Sequence, residues 1–177
     1  MTNLILIIFS SLCVWRFPER DMKEIFNGDS YQTTFFDISA DDQEKIEELL
    51  GTALDADETQ FKFFTVFKDG DTVGTVATHL SKGQYGAIEV VVALEQENDP
   101  RKFTIKEVRI QRDREKDRVN LRSQKFLGQF VGKNSQDPLL VGDDLKPASE
   151  NSIKSSTAIA LAVKKLTVIF DYLVNKE

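Results

Sequence analysis

The chain has 177 residues, 41% of them hydrophobic and 29% charged, enough to close one core and too few for two full domains. Its formal net charge of −6 excludes a nucleic-acid backbone as the natural partner, because phosphate binding draws on clustered Lys and Arg that release counterions. The densest basic run, Arg112 to Lys125, is interleaved with Asp113, Glu115 and Asp117 and reads as a solvated strand end.

The opening "MTNLILIIFSSLCVWR" holds an apolar stretch from Leu4 to Trp15, too short to span a bilayer and of the right size for the core of a signal peptide. It departs from the usual pattern. No Lys or Arg precedes it, no small-residue cleavage site follows, and Ser11 and Leu12 do not supply the small residue that lipid attachment at Cys13 requires. A buried N-terminal strand or helix is the alternative. The expectation is a leader over 1–17 and a single exported domain over 18–177, periplasmic or extracytoplasmic and associated with a membrane. Removal of the leader would take the single cysteine with it and exclude thiol catalysis, disulfides and cysteine-bound metal.

After the leader, "RDMKEIFN" predicts a short helix closed by Asn27-Gly28, and "YQTTFFDI" a strand rich in β-branched and aromatic residues. Ser39 caps the helix "ADDQEKIEELL", which carries acids in its first turn, an apolar face of Ile46, Leu49 and Leu50, and Gly51 as its stop. Four strands follow: "FKFFTVFK", "TVGTVATHL" beyond the Asp69-Gly70-Asp71 turn, "AIEVVVALEQE" beyond the loop "SKGQYG", and "FTIKEVRIQ" beyond Asn98-Asp99-Pro100. Short turns make such neighbours antiparallel, and "VVVAL", apolar on both faces, predicts a central strand covered on both sides. "RSQKFLGQFVG" reads as a helix with Phe126, Leu127 and Phe130 on one face. The last helix carries a stripe of Ile159, Val163, Leu166, Phe170 and Leu173 that packs on the sheet. The fold class is α+β, an antiparallel sheet flanked by helices.

Few residues carry chemistry. His79, the sole histidine, has no cysteine or second histidine with which to bind metal or form a catalytic pair, and reads as a surface residue. The acid pairs Asp41-Asp42 and Asp143-Asp144 are explained by a helix dipole and a turn. No P-loop, G-x-G-x-x-G or G-x-S-x-G occurs. What stands out is "SENSIKSSTAIALAV", where Ser149, Ser152, Ser155, Ser156 and Thr157 precede an apolar helical pattern. One cap needs one hydroxyl. Local Ser and Thr turns account for such a cluster, and so does an anion site, where free N–H groups, the positive end of the dipole and hydroxyl donors meet a phosphate.

The stretch "KFLGQFVGKNSQDPLLVGDDLKPASENSIKSSTAIALAVKKL" resembles the FMN-binding domain family, which includes flavoprotein subunits of the Rnf complex and of the sodium-pumping NADH:quinone reductase. "FVGK" at 130–133, "DPL" at 137–139, "GDDL" at 142–145 and "SSTAI" at 155–159 follow the family's order and spacing, and upstream "FKDGDTVGTV" and "KGQYGAIEVVVAL" are similar to its hairpin and its loop and central strand. The resemblance spans about residues 40 to 173. It implies bound FMN, electron transfer rather than stand-alone catalysis, a membrane or periplasmic redox partner, and phosphate held by the serine-rich box, which in some members a flavin transferase esterifies to a threonine.

Without a gap the box falls on Ser149, Glu150, Asn151 and Ser152, with Ser152 in the acceptor's place; matching "SSTAI" downstream takes one inserted residue. Ser152, Ser155, Ser156 and Thr157 are then the expected phosphate contacts, Ser149 and Asn151 the loop that closes over it, Tyr85 a ring-stacking residue or a plain turn residue, and Lys146, where the family has aspartate, a cation for the phosphate. Glu150 stands where the family has glycine and opposes a phosphate, so the flavin is expected to be held non-covalently. A module of the same fold without cofactor is the alternative.

Overall fold

Asp69 and Gly70 both adopt positive φ, 52° and 89°, the geometry of the tight hairpin turn whose twist matches that of the strands it joins. It links β2 (Gln60–Lys68) to β3 (Asp71–Lys82). With β1 (Ser30–Asp37), β4 (Ala87–Gln96) and β5 (Phe103–Arg112) these make a five-stranded sheet in the order β1-β2-β3-β4-β5, every neighbour antiparallel. The computed structural model describes residues 18–97, 99 and 101–176, so the leader expected over 1–17 lies outside the described residues. Residues 88–94 of β4 are buried on both faces, as the apolar run 90–94 requires and with Glu89 buried beside it, although the middle strand is β3.

Each face has its own cover. On one lies α5 (Ile153–Asn175), which buries Ile159, Val163, Leu166 and Phe170 against Phe63, Val90, Val92 and Ile105. The ring of Phe170 stands 5.2 Å from that of Phe63 and 4.8 Å from that of Phe103. Each large side chain sealed there contributes on the order of 1.5–3 kcal/mol. On the other face, α1 (Glu19–Phe26), closed by Asn27 in the left-handed region, lays Met22 and Phe26 over Phe64, Val66, Val76, Val91 and Ala93. Gly74 lets it approach, since a Cβ there would overlap the Phe26 ring. Asp21 and Glu24 of α1 then bind Arg109 of β5 at 3.1 and 2.6 Å.

The helix α2 (Ala40–Leu50) has the expected Ser39 cap, completed as a capping box by Asp42. Ile46 is buried, but Leu49 is exposed: α2 meets the core along a narrow stripe, and Leu49 falls to one side of it. The Asp42 carboxylate also accepts from Tyr172 at 2.7 Å and Lys176 at 2.6 Å, which fastens α2 to the end of α5.

The helix expected over 122–132 is broken. It appears as α3 (Arg118–Leu121), α4 (Gln124–Leu127) and a 3₁₀ turn at 128–130, because Ser123 starts a new cap by accepting from the Phe126 N–H. Phe126, Leu127 and Phe130 are nevertheless all buried. In the following loop Asp144 accepts from the N–H groups of Leu139 and Leu140 at 3.2 and 2.6 Å, confirming its turn role and holding Leu139 at φ 53°.

His79 is a correction. It is not a surface residue: its ring lies parallel to Phe61, its Nε2 is 3.3 Å from Glu58, and only 13% of its side chain is exposed. Glu58 is bound in turn by the buried Lys165 of α5 at 2.6 Å, so one carboxylate joins the 51–59 loop, β3 and α5. Burial pushes the imidazole down to about 4, against the pull of Glu58 and the nearby Asp55 and Asp57 and with the push of Lys165. The unfolded imidazole titrates near 6.5, so unfolding takes up a proton below that pH. Stability from this group is full above pH 6.5 and is lost as pH falls toward 4. The expected outcome is a midpoint of urea unfolding that declines through that window in the wild type and declines less in His79→Gln.

Candidate functional site

The chain turns sharply before α5. Ser149 is extended, residues 150–152 form a 3₁₀ turn, and Ser149 and Ser152 cap one another: the Ser152 hydroxyl accepts from the Ser149 N–H at 2.9 Å and lies 3.0 Å from the Ser149 hydroxyl. The next hydroxyls are engaged further in. Ser155, with no exposed surface, donates to Glu115 and accepts from the Gln84 N–H at 3.3 Å. Ser156, equally buried, accepts from the Ala148 N–H at 3.1 Å. Thr157 is exposed and returns its hydroxyl to the Ile153 carbonyl at 2.9 Å.

Glu115 is the residue that sequence reasoning missed. Only 3% exposed, its carboxylate accepts from Ser155 of α5 and, at 2.9 Å, from the N–H of Tyr85 in the β3–β4 loop. Gly83 belongs to this contact, since a Cβ there would overlap Glu115 Oε1 and the Ile88 side chain. The Glu115 N–H donates at 3.0 Å to Asp113, itself buried and bound by Arg118 at 3.2 Å and by Arg122 at 2.8 Å. The basic run is therefore no solvated strand end. Two of its interleaved acids, Asp113 and Glu115, are buried, and Arg118 and Arg122 both pair with Asp113.

Asp117 completes the arrangement. Its carboxylate accepts from the Ser149 hydroxyl and from Asn120 at 2.6 Å. The hydrogen bond from Ser149, against desolvation and with help from Asn120 and Ser152, holds the carboxyl below its ordinary range.

Between these segments lies a groove of about 410 Å³ lined by Gln84, Tyr85, Glu115, Lys116, Asp117, Asn151 and Ser152. The Lys116 ammonium sits 4.5 Å from the centre of the Tyr85 ring. Of the expected site residues, Tyr85, Asn151 and Ser152 thus meet in one groove, with Ser149 just behind Asp117. Thr157 does not line it. Lys146 lies in another hollow, beside Lys125, Phe126 and Gln129, where the Gln129 amide clasps its backbone at 2.9 and 3.0 Å.

Tested against FMN, the groove fits in part. Its volume is in the range of small-molecule sites, Tyr85 offers a ring to stack on, and Lys116 and Asn151 offer donors. Ser149 and Ser152 can reach a phosphate only in competition with Asp117, and Ser155 and Ser156 are committed to the protein itself.

An open antiparallel meander with a long helix across one face and a serine-rich turn at that helix's start defines an α+β fold of the FMN-binding-domain type. The crystal structure of NqrC from Shewanella oneidensis shares it, with a TM-score of 0.56 at 17% sequence identity over 89% of this chain and 88% of that one. No protein-family model and no curated protein matches the chain.

Ser155→Ala should cost about 1–3 kcal/mol in denaturant unfolding, because it leaves the buried Glu115 one donor short. Thr157→Ala, at an exposed hydroxyl, should stay within about 0.5 kcal/mol of the wild type.

Proposed function

We propose that this chain is an FMN-binding electron-transfer domain whose flavin lies in the groove at the start of α5. The observation that carries the reading is the groove itself: it joins Tyr85 of the glycine-flanked loop to Asn151 and Ser152 of the serine-rich turn, segments that resemble the FMN-binding domain family, within a fold shared with NqrC. Bound flavin would supply the redox chemistry. The protein's part is to position it. Tyr85, fixed by the Glu115 bond to its N–H, gives a planar face; Lys116 and Asn151 orient polar edges; the Ser149 hydroxyl meets the phosphate in competition with Asp117.

The flavin is held without a covalent bond. Ser152 stands in the acceptor's place with 2% exposure, and its hydroxyl is enclosed by Ser149, which denies it to a transferase. Export, association with a membrane and a redox partner there belong to the same proposal, supported by the apolar opening of the sequence and by the likeness to NqrC.

A second reading rests on a different observation. Asp117, Glu115 and the exposed Glu150 surround the turn with negative charge, and Ser155 and Ser156 have no hydroxyl to spare, as expected of a binding or scaffold module that keeps the fold without the cofactor.

The absorption spectrum of the protein purified from its native host separates the two. Flavin bands that are lost on denaturation and filtration are expected, with an intact mass equal to that of the polypeptide. A colourless protein that stays colourless after incubation with FMN establishes the second reading, and an FMN-sized mass increment on the peptide holding Ser149 to Ser156 overturns non-covalent binding.

A further inference from the structure

An anion already occupies the serine-rich turn, and it belongs to the chain. The Asp117 carboxylate rests between two side-chain donors, the hydroxyl of Ser149 and the amide of Asn120, the latter at 2.6 Å, and the Ser152 hydroxyl lies 3.0 Å from that of Ser149. These are the kinds of donor that a phosphate oxygen uses. Asp117 also lines the groove, whereas Ser149 does not, so the Ser149 hydroxyl meets the groove through the Asp117 carboxylate that it donates to.

We propose that Asp117 is the specificity-determining residue of this groove, an internal competitor that fills the Ser149–Ser152 cradle and sets how strongly a phosphorylated ligand is preferred over its unphosphorylated form. The proposal rests on the flavin reading of the groove. A phosphate entering the cradle must displace the carboxylate from Ser149 and then lie beside it as a like charge, and both effects weaken the phosphate contribution. The ring portion of a ligand, which would meet Tyr85 and Lys116, is untouched by this competition. FMN and riboflavin should therefore bind the wild-type chain with similar affinity, and FMN should bind reversibly.

Two variants test it. Asp117→Ala empties the cradle, while Asp117→Asn keeps the shape and removes the charge. The full-length chain is titrated with FMN and with riboflavin by flavin fluorescence at fixed ionic strength, and thermal unfolding is followed with and without inorganic phosphate. Both variants should bind FMN about tenfold or more tightly than the wild type, the gain of roughly one charge-assisted hydrogen bond, with riboflavin affinity unchanged. Phosphate should raise their melting temperatures more than that of the wild type, and adding Ser149→Ala should cancel both gains.

An FMN affinity that is unchanged or reduced in both variants overturns the proposal. So does an equal gain for riboflavin, which would mean a generally loosened groove. If the wild type binds neither flavin and the variants gain a phosphate response that Ser149→Ala removes, Asp117 keeps its assigned role and the flavin reading of the wild-type groove falls. If no variant responds to flavin or to phosphate, both fall.

Discussion

A carboxylate withdrawn from water must find hydrogen-bond donors or leave the interior, and Glu115 finds them on two separate segments. One of its oxygens takes the N–H of Tyr85, from the β3–β4 loop, and the other takes the hydroxyl of Ser155, from the first turn of α5. The loop that follows β5 supplies the acid. Three pieces of chain far apart in sequence are thus set relative to one another by one side chain, and the groove is the space left between them. A single charge also explains two residue choices beside it: Gly83, where a Cβ would overlap the carboxylate, and Asp113, which receives the Glu115 N–H and brings Arg118 and Arg122 with it.

The same device recurs at the far end of α5. There Asp42 joins the α2 cap to Tyr172 and Lys176, and midway along the helix Lys165 and Glu58 join α5 to the 51–59 loop and His79. Apolar burial presses α5 onto the sheet without fixing its position along the strands, because hydrophobic contact is not directional. The three acid-centred contacts, placed at its start, middle and end, supply the registration that the apolar stripe does not.

Most of the framework was legible in the chain. Periodicity located all five strands, the Asp69-Gly70 turn, the Ser39 cap, and the Ile159 to Phe170 stripe, because each rests on residues within one turn or one strand of each other. What misled was long-range pairing. His79 lies among polar neighbours in sequence and looks exposed, yet its partners Phe61, Glu58 and Lys165 arrive from other elements. Asp113 and Glu115 look like ordinary surface acids because their burial depends on Arg122 and Ser155, 9 and 40 residues away. The hydroxyl cluster is visible in the chain, but its partition is not: Ser149 turns to Asp117 at the groove and Ser152 to Ser149, Ser155 and Ser156 turn inward, and Thr157 serves only its own helix. The one available signal was the acids interrupting the basic run. They offset part of the run's positive charge, and it is two of them, Asp113 and Glu115, that the fold buries.

The order of the elements has a consequence for synthesis. All five strands precede α5, so a growing chain completes the sheet before the helix that covers its larger apolar face has been made. During that interval Phe63, Val90, Val92 and Ile105 have no cover from α5, and the uncharged stretch 30–36 of the edge strand β1 offers backbone groups to any passing strand. The nascent protein is therefore at its most sticky just before its last helix arrives, and a holding chaperone has its natural place of action there, on a sheet already built and waiting for its lid.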